Sequence, residues 1–206
     1  MYARSTTVRG NPQSVDDLIA YVRDEAMPAI QQMDGCIGLS MLCDRDSGRC
    51  IATTAWETEE AMHNSESGVH GMRMRLAEMM GGRPEVQEWE IGILHRMREA
   101  PEGACARVTW ATGDPTQIDD RMSTMRTAFL PRVEELPGFC SVSVLMNRNT
   151  GQGVTATVYE SRDVMNRASD QGRALREEIA RQMNMEMTEV AEMELVLAHL
   201  RVPETV

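Results

Sequence analysis

Two arginines at matching places are the side chains best suited to chemistry in this chain. Arg4 stands in YARSTTV and Arg107 in CARVTWA, both short runs of strand type. A guanidinium carried inward by a central strand could hold an anionic oxygen, such as a phenolate or enolate, with paired donors. The competing role is structural, an ion pair with a core carboxylate such as Glu57 or Glu160. His95 and His199 also match, each near the end of an apolar run (WEIGILH and MELVLAH). An imidazole there could accept a proton near neutral pH, or sit solvated at a rim. Trp56, Tyr159 and Trp110 offer aromatic surface to a substrate or to the core. His70 and Met74 lie on a helical stretch, and His63 falls two turns before His70 on nearly the same face.

Other chemistries are excluded by composition. All 21 basic residues are arginine, so Schiff-base chemistry and a Walker A phosphate loop have no lysine to use. The net charge of −11 is shared by both halves of the chain. Such a surface repels phosphate backbones and anionic lipid, so neither nucleic acid nor membrane is an expected partner. No run of 18 apolar residues and no hydrophobic leader is present, so a cytoplasmic protein is expected. The five cysteines include no CxxC pair, so no metal site is expected. Cys43 and Cys50 bracket the turn DRDSGR and could face each other across a hairpin as reduced thiols.

The matching arginines belong to a longer repeat. Shifted by 103 positions, ARSTTVRGNPQSVDD from Ala3 lies over ARVTWATGDPTQIDD from Ala106. Arg23 then meets Arg126, Pro28 meets Pro131, Gly35 meets Gly138 and Met62 meets Met165. One extra residue later, EVQEWEIGILH from Glu85 lies over EVAEMELVLAH from Glu189. A single small gap over almost the whole chain predicts two units, 1–97 and 105–206, joined by the linker REAPEGA at 98–104.

Each unit has a legible order of elements. Tyr2 to Val8 predicts a strand, and Ser14 with Asp17 a capping box for a helix reaching about Met33. Pro28 and Pro131 predict a bend or break late in that helix. Cys36 to Cys43 and Arg49 to Trp56 predict a hairpin. Thr58 caps a second helix that ends at a glycine pair, and the alternation from Trp89 to His95 predicts the last strand. The order is βαββαβ, a ferredoxin-like α+β unit written twice. Each sheet has helices on one face only, so packing the two sheets together predicts an intramolecular α/β-barrel with helices outside. Aromatics make up 4% of the chain against 18 methionines, which predicts a soft interior and a methionine lining for any pocket.

The element order, the late proline followed by PGF (Pro137 to Phe139, with Asp34 to Cys36 in the first half), and the segments AWETEEAM (Ala55 to Met62) and VYESRDVM (Val158 to Met165) carry a resemblance. They look like the antibiotic biosynthesis monooxygenase family of the dimeric α/β-barrel superfamily, here as a tandem chain. That resemblance implies a small pocket in each half between sheet and helices. For some members it implies oxygenation of phenolic substrates without metal or flavin. In haem-degrading relatives a histidine of the second helix ligates iron, whereas the alignment brings Met74 to that position, so no haem is expected. Two functions stay open. One is a cofactor-independent monooxygenase acting on a small aromatic or quinol-type molecule, and the other is a non-catalytic ligand-binding or stress-related barrel. A homodimer of the tandem chain is a further expectation.

Overall fold

In a computed structural model, residues 1–200 are described. The first repeat comprises β1 (Tyr2–Arg9), α1 (Val15–Tyr21), α2 (Met27–Ile30), β2 (Cys36–Asp44), β3 (Arg49–Trp56), α3 (Glu59–Asn64), α4 (Glu66–Met80) and β4 (Glu85–Arg96). The second comprises β5 (Cys105–Thr112), α5 (Ile118–Thr124), α6 (Leu130–Glu134), β6 (Phe139–Met146), β7 (Gln152–Tyr159), α7 (Arg162–Arg167), α8 (Ser169–Gln182) and β8 (Glu186–Leu200). The architecture is α+β, and the strands are hydrogen-bonded in the order β1-β3-β2-β8-β5-β7-β6-β4, which returns on itself as a closed barrel.

The repeat is kept at the level of register. β1 pairs antiparallel with β3 from Tyr2↔Trp56 to Arg9↔Arg49, and β5 pairs with β7 from Cys105↔Tyr159 to Thr112↔Gln152, the same residues shifted by one repeat length. Cys43 and Cys50 are register partners in the β2–β3 hairpin and both are reduced thiols. Two compact units emerge, one from Met1–Trp89 with residues 195–200, the other from Glu90–Glu194. Each has its own core. In the first, Val15, Leu18 and Val22 put one face of the α1 stretch among Leu39, Met41 and Trp56. Burial of each such side chain stabilises by roughly 2 kcal/mol. In the second, Met125, Phe129 and Val133 pack with Phe139, Tyr159 and Met165.

Two expectations about the first helix need correction. Ser14 does not cap it, because Ser14 already has helical backbone angles. The turn starts earlier, where Asn11 Oδ1 accepts from the Gln13 N–H at 3.1 Å, and Asp114 does the same for Thr116 at 2.9 Å. Nor does proline break the helix. A single wide turn, Val22–Ala26, lets the Met27 N–H reach back to the Val22 carbonyl, so Pro28 begins the next stretch where a missing donor costs little. The second repeat copies this device, with Leu130 N–H bonded to the Met125 carbonyl just before Pro131. Thr58 caps α3 as expected, and Gly81 ends α4 in the left-handed region at φ 74°. Among the described residues no helix is long and apolar enough to cross a membrane.

Candidate functional site

The second unit contains a cavity of about 110 Å³ between its sheet and its helices. Alternation along β5 turns Arg107, Thr109 and Ala111 into it, and along β7 Gly153, Thr155, Thr157 and Tyr159 do the same. On α8, Gly172, Leu175, Arg176 and Ile179 recur at helical spacing and form the opposite wall. Six methionines (Met122, Met125, Met146, Met183, Met185 and Met187) supply much of the apolar lining, which places the methionine excess where a pocket can use it.

The corresponding space in the first unit, lined by Arg4, Thr6, Thr54, Val69, Met72, Arg73 and Leu76 among others, is about 30 Å³. The difference follows from side-chain size at repeat-related positions. Val8, Met41, Cys50 and Val69 stand in the first core, and their counterparts are the smaller Ala111, Val144, Gly153 and Gly172.

Polarity divides the two units more sharply than size. In the first, Arg4 is 3% exposed and fully engaged. Its Nε and Nη2 donate to Glu88 Oε1 at 3.0 and 2.7 Å, and its Nη1 donates to Ser65 Oγ at 3.2 Å and lies 3.3 Å from Glu66 Oε2. The other oxygen of Glu66 accepts from Arg73 Nη2. Trp56 Nε1 donates to Thr54 Oγ1 at 3.0 Å. The Arg73 bond holds the Glu66 carboxyl below the usual carboxylate range. Partial burial pushes Glu88 up, but bonds from Arg4 and His63 outweigh it and the net shift is downward.

In the second unit two partners of those arginines are replaced, while the counterpart of Glu88 remains. Ala168 replaces Ser65, Ser169 replaces Glu66, and Tyr159 replaces Trp56. Arg107, also 3% exposed, keeps the pair with Glu192 through Nε and Nη2. Its Nη1 is buried with no acceptor in bonding geometry. Arg176 is half-buried and makes no hydrogen bond among the described residues; burial and the neighbouring Arg107 hold its pKa below the ordinary guanidinium value. Burial pushes the Tyr159 phenol up, only partly offset by the two arginines. The three groups converge on Gly172. The point where a Cβ would stand on that glycine is 3.3 Å from Arg176 Nη1, and 3.6 Å from both Arg107 Nη1 and Tyr159 Oη. An apolar chamber thus ends in two guanidiniums and a phenol, and of the two cations only Arg107 has an ion pair among the described residues. Arg121 also lines the wall, but its donors are taken by the Met183 and Asp114 carbonyls at 2.9 and 2.8 Å.

Of the residues singled out from sequence, Arg107 and Tyr159 meet in this cavity, and Arg4 occupies the smaller space in the first unit. The carboxylates expected opposite the arginines need correction. Glu192 is the register neighbour of Arg107 across the β5–β8 pair, and Glu88 takes Arg4, whereas Glu160 lies beyond β7 and binds Arg98. Trp56 is fully buried in the first core. Trp110 alternates away from Thr109 and Ala111 onto the other face of β5. His95 lies 2.9 Å from Glu134 and stacks on Phe139, outside the cavity wall. His199 is half-buried on β8 and does not line it either. On α4, His70 is exposed, 3.8 Å from Glu66, and Met74 is 50% exposed. Among the described residues no histidine or cysteine lines the second-unit cavity, so a haem iron would find neither an imidazole nor a thiolate on that wall. Arg176 and Gly172 escaped notice, although Arg73 and Arg176 recur at the same offset as Arg4 and Arg107.

With the geometry established, comparison with known proteins locates the chain among its relatives. The sequence pattern described as antibiotic biosynthesis monooxygenase matches residues 1–71. An uncharacterized protein of Mycobacterium tuberculosis is 50% identical over 206 residues, covering all of this chain and 92% of the relative. A candidate monooxygenase of Fusobacterium nucleatum superposes with a TM-score of 0.73 at 13% identity, over 99% of this chain and 96% of that one. An anthrone oxidase-like protein gives 0.65 at 12% identity, over 97% and 92%.

Proposed function

Because the chain belongs to the antibiotic biosynthesis monooxygenase family, we propose that the cavity of its second unit binds a small apolar, aromatic molecule through an ionised oxygen and oxygenates it without a resident cofactor. One observation carries the reading: a buried guanidinium nitrogen, Arg107 Nη1, stands beside the Tyr159 hydroxyl in an otherwise apolar cavity and meets no acceptor in bonding geometry among the described residues. Leaving such a donor unsatisfied costs on the order of 1–3 kcal/mol, which a bound anion would recover. Arg107, Arg176 and Tyr159 would then favour the deprotonated form of a phenol or enol. That anion is the species able to give an electron to dioxygen, which reacts slowly with neutral closed-shell molecules. In the net reaction of an anthrone, the CH₂ conjugated with the ionised oxygen across the central ring becomes a carbonyl, one oxygen atom of dioxygen entering the product and the other leaving as water. The likeness in fold to an anthrone oxidase-like protein supports a substrate of this type.

Oxygen uptake with a panel of anthrones and quinols tests the proposal. Turnover should be lost in Arg107→Gln and Arg176→Gln and kept in Arg73→Gln, whose site lies in the first unit. Turnover that survives both second-unit changes overturns it. A second reading, binding without turnover, is favoured by a cavity wall that, among the described residues, carries arginines and a tyrosine and no carboxylate or imidazole to take up a proton. Binding of an ionised ligand with no oxygen uptake would decide for it.

A further inference from the structure

The first unit contains within its own chain a side chain that stands where the second unit has none. Glu66 bridges the two arginines of its unit, one oxygen toward Arg4 and the other toward Arg73. Arg107 and Arg176 stand at the same strand and helix positions one repeat later, and there Ser169 opens α8 in place of Glu66. Resting only on the anion site of the reading above, and in place of its phenolate, we infer that the anionic group held by the second unit is a carboxylate bridging Arg107 and Arg176 as Glu66 bridges Arg4 and Arg73, and that the ligand is therefore a small apolar carboxylic acid.

Three observations lead to a two-oxygen anion. Arg4 and Arg73 both form ion pairs, with Glu88 and Glu66, whereas Arg107 pairs with Glu192 and Arg176 forms no ion pair among the described residues, with Glu192 and Glu177 as its nearby carboxylates. The nitrogen left without an acceptor, Arg107 Nη1, corresponds to the Arg4 nitrogen that lies against Glu66 and Ser65. The Gly172 position is reached from two sides by different guanidiniums, which a carboxylate can answer with separate oxygens and a phenolate with only one. The Tyr159 hydroxyl, kept protonated by burial, can donate to either oxygen. Beyond this end the walls are Met125, Val133, Leu175 and Ile179, so the remainder of the acid is apolar.

Calorimetric titration of the whole chain with para-nitrobenzoate, para-nitrophenolate and para-nitrobenzamide, at a mildly alkaline pH where the first two are ionised, tests the inference. The benzoate should bind about tenfold or more tighter than the phenolate and the amide. Its binding should fall by a similar factor in Ser169→Glu, which supplies the first unit's carboxylate, and in Arg176→Gln. Thermal unfolding of both variants reports whether they fold, and Arg176→Gln alone decides if Ser169→Glu does not. Phenolate binding as tight as benzoate, with both lost in the variants, overturns the carboxylate and leaves the anion site standing. No binding of any probe, or binding unchanged in the variants, overturns the inference and the site together.

Discussion

Replacing Gly172 by alanine should make the protein more stable and its cavity less able to bind. Gly172 lies inside α8, where alanine is favoured over glycine by about 1 kcal/mol. The new methyl would meet Arg176 Nη1 at 3.3 Å and Arg107 Nη1 and Tyr159 Oη at 3.6 Å. Only the first contact is tight, and it falls on the end of a side chain with no hydrogen bond to hold it in place. The related Val69 is accommodated in the first unit at 4% exposure, so the backbone of this helix tolerates a Cβ there. For a chain of this size 1 kcal/mol corresponds to a rise in Tm of about 2–4 °C. The same methyl occupies the point on which the donors converge, where a ligand oxygen would need to stand roughly 2.8 Å from a guanidinium nitrogen. Losing one charge-assisted bond costs about 1.5–3 kcal/mol, which weakens binding by about tenfold to a hundredfold. Scanning calorimetry with and without ligand, together with titration, reads both quantities. A lower Tm, or an affinity that does not change, would refute the assignment of Gly172 as the floor of an anion site.

The lowered Glu66 and Glu88 pKa values make the first unit acid-sensitive. Their contribution is present above the ordinary glutamate pKa and lost as pH falls through the lowered folded values, so Glu66→Gln with Glu88→Gln should flatten the acid limb of a Tm-against-pH curve. Burial raises Tyr159, so its contribution holds below the ordinary phenol pKa and fades as pH climbs toward the raised value. Ultraviolet titration should show a late-ionising tyrosine that disappears in Tyr159→Phe. Filling the cavity from the other side with Gly153→Cys, the residue of the first unit, should reduce ligand affinity while the far-ultraviolet circular dichroism stays that of the parent. Cys43, Cys50, Cys105 and Cys140 are buried, reduced thiols, so a thiol reagent should modify half-buried Cys36 first and the others only on unfolding.

The tandem architecture was legible because a repeat constrains every element twice: β1 with β3 and β5 with β7 pair in the register that the 103-residue shift implies. Arg107 could be singled out because strand alternation says which residues share a face. Its surroundings could not be read that way. Ser65, Glu66 and Val69 differ visibly from Ala168, Ser169 and Gly172, but sequence alone does not show that the start of the second helix lies over the first strand's arginine. Histidine and methionine on that helix attracted notice for their chemistry, while helical rotation turned His70 and Met74 to solvent and Arg73 inward. Proline misled for a different reason, since one wide turn moves the missing donor to the start of a new stretch.

The substitutions that separate the two units share a direction. Putting serine where a carboxylate would neutralise two guanidiniums, alanine where a hydroxyl would accept from one, and glycine where valine would fill the helix contact each lowers the stability expected of the second unit. An uncompensated buried cation alone costs several kcal/mol. Neutral drift would scatter such losses over both cores, whereas here Gly172 lies against Arg107, Arg176 and Tyr159, and the other two positions are those whose first-unit counterparts, Ser65 and Glu66, hold Arg4. The first unit retains the satisfied version of the same cluster, which shows that the fold admits it. Destabilising choices collected at a single point are the pattern expected where a ligand completes the structure. A ligand that completes the charge should therefore raise the thermal stability of the whole chain by RT ln(1 + [L]/Kd), about 2.7 kcal/mol at a hundredfold excess over Kd.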